Sequence, residues 1–251
     1  EAKPFATSFV NGTRAAESLT ISTAGVLNPQ EGTVECWVYV NSVVRRNIAD
    51  NRPTVVLIRK GSSTANWIWL NHRPEGTWGL QIRKDGTTTG SNSFSDSLTP
   101  DGWHYFAIRW NTQEGSAELF HNGVKRISLA NVIFPAEYDR IEIGHRSGGS
   151  GDWLNSLIDD LRISSRARTD AEILAAYQSN EPLPYDAYTT WLSRFDNNYG
   201  LIGNSSSQIP VSNGILCTNL NAERVNGIKI TVGTTSPTSP SVNDIWIDTS
   251  S

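Results

Sequence analysis

The chain has 251 residues and a net charge of −4, with 21 Lys and Arg against 25 Asp and Glu. That length suits one large all-β domain with a small appendage, or two modest domains. An acidic balance without a basic block argues against nucleic acid as a partner. No apolar run approaches the roughly 20 residues of a membrane span and no signal-peptide pattern opens the chain, so a soluble protein without membrane insertion is expected. The only cysteines, Cys36 and Cys217, make neither a disulfide framework nor a metal knuckle. They suit free thiols in a reducing cytoplasm or, as the alternative, one long-range bridge. There is no Met, even at position 1, as expected of a piece processed from something longer. Twenty Gly and nine Trp, with little helical periodicity, point to a β-rich protein.

Short alternating runs predict strands at Leu19–Ser22, Gly32–Val40, Asn66–His72, Thr77–Arg83 and Trp103–Trp110. Ser116–His121 follows, with an Asn122-Gly123 turn into Val124–Ser128, then Arg140–His145 and Leu157–Ser164. Hairpin spacing without intervening helices specifies two antiparallel sheets packed face to face, a jelly-roll sandwich. One helix is expected after it, because Thr169 and Glu172 have capping-box spacing ahead of Ile173, Leu174, Ala176 and Tyr177. It is too short to persist alone and must dock on the sandwich.

A proline-containing stretch without periodicity, Glu181–Ala187, marks a linker. The expected organisation is therefore a sandwich at 1–180, a linker at 181–187 and a β-rich segment at 188–251. That last segment holds two strand-like pieces, from Gly227 and from Asp244, but too few apolar residues for an independent core. It is expected to complete its core with other copies or with a larger particle.

The segments GTVECWVYV, DGWHYFAIRWN with GSAELFHNGVKR, and WLNSLIDDLRISSRARTDAEILAAY resemble, in order and spacing, the laminin-G-like, concanavalin A-like jelly roll. The chain departs from that family at Phe9–Gly12, where many relatives carry an acidic residue before the glycine. The last third is similar to bacteriophage tail fibres in GNSSSQIPVSNGILCTNLNAERVNGIKI and to Pro/Ser-rich virion tails in TTSPTSPSVNDIWIDTS. Together these resemblances imply a virion protein assembled in the host cytoplasm, with a carbohydrate-binding type of domain, other virion proteins as partners and a homotrimeric state.

Parity places Glu35, Trp37 and Tyr39 opposite the apolar face of their strand. It places Trp67, Trp69 and Asn71 likewise, with Gln81 and Arg83 beside them. Flat rings stack on pyranose faces while planar polar groups bond hydroxyls, so one open groove for a host-surface glycan is expected from these eight residues. The competing expectation is that the rings are covered by loops, by the helix or by the C-terminal segment. Asp159 shares parity with Leu157, Leu161 and Ile163, which aims a carboxylate at the core, where it must accept backbone hydrogen bonds or ligate a cation. The family resemblance implies a structural calcium ion held by this Asp159 and by oxygens near Asn11, and oxygen-only ligation suits calcium.

No strand presents two carboxylates on one face in glycosidase fashion, since Asp159 and Asp160 are adjacent. His72, His104, His121 and His145 have no metal spacing. A non-catalytic adhesion protein is the leading expectation. A purely structural virion module and a glycan depolymerase are the alternatives.

Overall fold

A computed structural model of the chain describes residues 7–9, 19–41, 52–61, 64–73, 75–99, 101–146, 153–154, 156–179, 181–195, 201–203, 224–225, 228–233 and 245–248. The strands in chain order are β1 (Thr7–Phe9), β2 (Leu19–Ser22), β3 (Glu31–Val40), β4 (Thr54–Arg59), β5 (Trp67–Arg73), β6 (Thr77–Lys84), β7 (Thr87–Ser95), β8 (Gly102–Asn111), β9 (Ser116–His121), β10 (Val124–Leu129), β11 (Arg140–Ile143) and β12 (Ser156–Ser164). The helix α1 (Asp170–Gln178) follows, then β13 (Thr189–Ser193), β14 (Leu201–Gly203), β15 (Arg224–Val225), β16 (Ile228–Gly233) and β17 (Ile245–Asp248).

Two antiparallel sheets form the expected sandwich. The first runs β10-β9-β8-β3-β12-β13-β14, with β1 also paired to β12, and the second runs β2-β11-β4-β5-β6-β7. Between them lie Val34, Cys36, Val38 and Val40 of β3 and Phe106, Ile108 and Trp110 of β8. These pack in one cluster with Ile58, Ile68, Leu70, Leu80, Ile82 and Ile141 of the second sheet. Where a strand turns one apolar set into this cluster, that set fixes its register, since a slip by one residue would turn the set outward. The β9–β10 turn has positive φ at both Asn122 and Gly123, the geometry a tight hairpin needs. Gly32 lies so close to Trp110 that a Cβ there would stand 2.2 Å from its ring.

In β12 a single residue changes which side chains face the core. Ile158 pairs with Val38 and Asp159 with Trp37, but the next matched pair is Arg162 with Glu35, so two residues of β12 stand where β3 has only Cys36. Asp160 takes the left-handed conformation at φ 49° and donates its backbone N–H to Asp159 Oδ1 at 2.8 Å. This β-bulge lets Ile158, Leu161 and Ile163 all enter the core. Strict alternation therefore misplaces Asp159: its carboxylate is buried, but on the Trp37 side of the sheet, away from the sandwich core.

The helix carries the expected capping box, with Glu172 N–H donating to Thr169 Oγ1 and the Glu172 side chain accepting from Thr169 N–H. The expected linker at 181–187 and the boundary near 180 need correction. Leu183 is fully buried, Asp186 pairs with Arg168 at 2.8 Å, and β13 extends the first sheet from β12. The chain divides instead into compact units Glu1–Val211 and Ser212–Ser251. In the second unit β15 pairs antiparallel with β16, and β16 pairs parallel with β17. Asn11 and Cys217 lie outside the described residues.

Candidate functional site

The eight predicted glycan contacts do not form one groove. Glu35, Trp37 and Tyr39 stand on the outer face of the first sheet, whereas Trp67, Trp69, Asn71, Gln81 and Arg83 stand on the outer face of the second. The sandwich core lies between the two sets.

The face of the first sheet is sealed. Trp37 is 8% exposed and packs with Tyr105, Phe120, Ile173 of α1, Leu183 and Leu192 in a second apolar cluster. Tyr177 of α1 stands 5.8 Å from Trp37, ring to ring. Glu35 is 0% exposed. It accepts from Arg162 Nε at 2.8 Å and from the Tyr105 hydroxyl, and it pairs with Arg168 Nε at 3.3 Å. Burial, then the charge and hydrogen bond of Glu35, hold the Tyr105 hydroxyl well above its ordinary range. Arg162 also donates to Pro184 O at 3.0 Å. Glu35 is thus fully used inside the protein, and Trp37 is covered by the helix. Tyr39 makes an edge contact with Trp103 at 5.5 Å.

The outer face of the second sheet is built from cross-strand rows. One row runs Arg140, Arg59, Trp67, Arg83, Thr88, and the next runs Glu142, Leu57, Trp69, Gln81, Ser91. A third row holds Thr54, Asn71, Gly79 and Ser93. Trp67 and Trp69 meet edge to face at 5.2 Å. Their N–H groups donate to Gln81 Oε1 at 3.2 Å and to Thr54 Oγ1 at 3.1 Å.

These rings are not bare, being 3% and 1% exposed. Guanidinium groups lie over them, Arg83 at 5.2 Å from Trp67, and Arg52 and Arg146 at 5.8 and 5.1 Å from Trp69. The arginines are themselves half-buried, and cation–ring contacts open to water are worth about 0.5–1 kcal/mol each. The rows contain one carboxylate, Glu142, and Arg59 occupies it with Nε and Nη2 at 3.2 and 2.7 Å.

Three arginines of this face, Arg52, Arg73 and Arg146, were not among the expected contacts. Arg73 was within reach of the sequence, since it follows Asn71 by two residues and shares its parity. Arg52 and Arg146 flank β4 and β11, where no alternation signals them.

Among the described residues no group of three or more His, Cys, Asp or Glu is placed to hold a metal ion. Asp159 and its neighbour Asp160 therefore do not by themselves supply the six to eight oxygens that calcium takes.

Comparison with known proteins agrees with this architecture. Residues 9–174 match the sequence profile described as the concanavalin A-like lectin/glucanases superfamily. No curated protein matches the chain in sequence. Among solved structures, a heptameric SAP-like pentraxin from Limulus polyphemus superposes with a TM-score of 0.53 at 14% identity, over 72% of this chain and 85% of that one. A putative carbohydrate binding protein from Bacteroides ovatus gives 0.51 at 12%, over 78% and 55%. The receptor binding domain of a botulinum neurotoxin C/D mosaic serotype gives 0.51 at 17%, over 65% and 40%. The chain thus spans about half or less of the last two. Likeness at these identities is a likeness of fold. The profile match covers more than half of the chain, which belongs to the concanavalin A-like lectin/glucanase superfamily.

Proposed function

We propose that this chain is a glycan-binding domain of a bacteriophage virion appendage, acting by adhesion and not by catalysis, with its glycan site on the outer face of the second sheet. The carrying observation is the paired Trp67 and Trp69 standing in register with Gln81, Asn71 and Arg83, on the sheet that α1 does not cover. The planar amide of Gln81 and the guanidinium of Arg83 offer hydrogen bonds for hydroxyls above the enclosed Trp67 and Trp69 rings. The single, arginine-paired carboxylate in these rows favours binding over glycoside hydrolysis, which needs two carboxyl groups about 5–9.5 Å apart. The likeness of the last third to tail fibres supports the virion setting, a homotrimer and partnership with other virion proteins. Weak sugar contacts multiplied over copies would then hold the particle to its host.

Binding of host-surface glycan by the wild-type chain, and its loss in Gln81→Ala and Arg83→Ala, is the test. An array and calorimetry showing no saccharide binding at all would remove the proposal. Antibody against residues 19–195 should label purified particles, and sedimentation at micromolar concentration should give three times the chain mass.

A second reading, a structural virion module, is favoured by the burial of both Trp rings beneath arginine side chains. It expects intact particles to be lost, and no glycan to bind, when this face is altered. A calcium ion on Asp159 and Asn11 belongs to the proposal only as a stabilising element.

A further inference from the structure

At one end of this face two polar side chains stand side by side with bonding capacity that the protein leaves unused. Asn71 is 1% exposed, yet neither its amide nitrogen nor its amide oxygen has a hydrogen-bond partner among the described residues. It stands between Thr54 and Gly79 in the sheet. Thr54 Oγ1 is already engaged, accepting from Trp69 and bonding to Arg52 O at 3.2 Å.

Arg73, two residues on and of the same parity, lies across Gly79, where a Cβ would fall 2.1 Å from its Nε. The glycine is what makes room for the arm. Nη2 is anchored to Ser91 Oγ at 2.8 Å and to Asn92 O at 3.3 Å. Nε is buried with no partner. Among the described residues only the exposed Glu75 approaches this guanidinium as a counter-charge, at 3.8 Å. Burial lowers the basicity of Arg73, Glu75 opposes that, and the neighbouring positive charge of Arg52 lowers it further.

A buried amide left unsatisfied costs about 1–3 kcal/mol, and such a group in a native fold calls for an explanation. Here the orphaned amide and the orphaned Nε meet at the Asn71–Gly79 pair, with Arg52 as a second, repelling cation nearby. A bound anion carrying hydroxyls answers all three.

We propose that Asn71 and Arg73 form a subsite for the acidic group of a negatively charged sugar. The carboxylate or sulfate sits on the guanidinium of Arg73, and Asn71 takes an adjoining hydroxyl with both its donor and its acceptor. This rests on the glycan-binding reading above and adds the class of saccharide.

Titration calorimetry would compare matched pairs on the full chain: sialyllactose and sulfated lactose against lactose, and oligogalacturonate against a neutral galactose oligomer of equal length. The acidic members should bind at least tenfold more tightly, with the advantage shrinking as salt rises. The carboxylated and sulfated arms identify which anion the subsite takes. Arg73→Gln should remove the acidic preference while leaving neutral binding in place, whereas Asn71→Ala should weaken acidic and neutral saccharides alike. Asn71→Ala should also leave Tm unchanged or raised, because an amide without partners loses nothing on removal.

Equal binding of neutral and acidic saccharides overturns this subsite and leaves the glycan reading standing. Absence of all saccharide binding overturns both. A marked fall in Tm for Asn71→Ala, or an experimental structure with acidic saccharide bound away from Asn71, also overturns it.

Discussion

Arg162 and Glu35 face each other across β12 and β3, with Nε 2.8 Å from Oε2 and both side chains closed off from water. Arg168 joins the same carboxylate at 3.3 Å, so one negative charge holds two positive ones beneath α1.

Removing that carboxylate strands Arg162, while Arg168 keeps its pair with Asp186 at 2.8 Å. Glu35→Ala is expected to destabilise the domain by about 3–5 kcal/mol, the usual cost of breaking a buried pair from one side. Urea melts would read it as a lower midpoint. Glycan binding to the opposite sheet, measured in the fraction that remains folded, should be unchanged. A stability loss below about 1 kcal/mol would mean that water reaches this pair, as at surface ion pairs.

Acid should weaken the fold through His121. Its Nε2 lies 2.9 Å from His104 Nδ1. Burial, followed by the neighbouring His104 and Arg126, lowers it from 6.5 to about 3. The folded chain keeps this ring neutral while the unfolded chain protonates it below about 6.5, so the unfolded state binds more protons between those values. Stability is expected to be complete above pH 6.5 and to fall as pH drops towards 3. The interval from 6.5 to 4.5 isolates the histidine, because Glu172, lowered from 4.5 to about 2 by the Arg166 hydrogen bond, adds its own loss only below that. His121→Phe should flatten the upper interval in melts taken across pH.

Trp69→Ala is expected to behave as a core truncation, costing about 3–5 kcal/mol, because the ring is enclosed despite its outward parity. Gln81→Ala, on a half-buried residue next to it, should stay within about 1 kcal/mol. Chemical denaturation of both variants checks the contrast, and it makes Gln81, not the tryptophans, the clean probe of binding.

A chain ending at Gln178 loses the buried Leu183, the Asp186–Arg168 pair and strand β13. Its Tm should fall by roughly 10 °C or more relative to a chain ending at Val211, at about 2–4 °C per kcal/mol. Equal melting temperatures would restore a boundary near 180.

For calcium on Asp159 and Asn11, binding affinity adds directly to folding stability. EDTA should then lower Tm and added calcium should restore it. A melting curve indifferent to both removes the ion.

The sandwich was legible because most of its strands bury one face and alternate. Two of those that escaped notice, both in the second sheet, lack that signal for opposite reasons. Strand β4, TVVLIR, is buried at every position, so it reads as an unbroken apolar run without a period. Strand β7, TTTGSNSFS, is an edge strand with no buried residue, and its mark is the Asp85-Gly86 turn before it, both residues at positive φ.

The candidate site was legible strand by strand but not as an assembly. Parity assigns Trp37 and Trp67 each to an outer face, yet nothing local says that β3 and β5 belong to different sheets. Asp159 escaped because a one-residue bulge leaves no trace in composition.

The bulge at Asp160 also divides β12 into two independently phased halves. Residues 156–158, before it, pair with β1 near the start of the chain. Residues 161–164, after it, pair with β13 beyond the helix. Each half can keep its own side-chain phase because the extra residue absorbs the mismatch between them. An insertion or deletion on the β1 side would be taken up at this joint before reaching the Arg162–Glu35 pair, so the opening of the domain is free to vary while its closure stays in register.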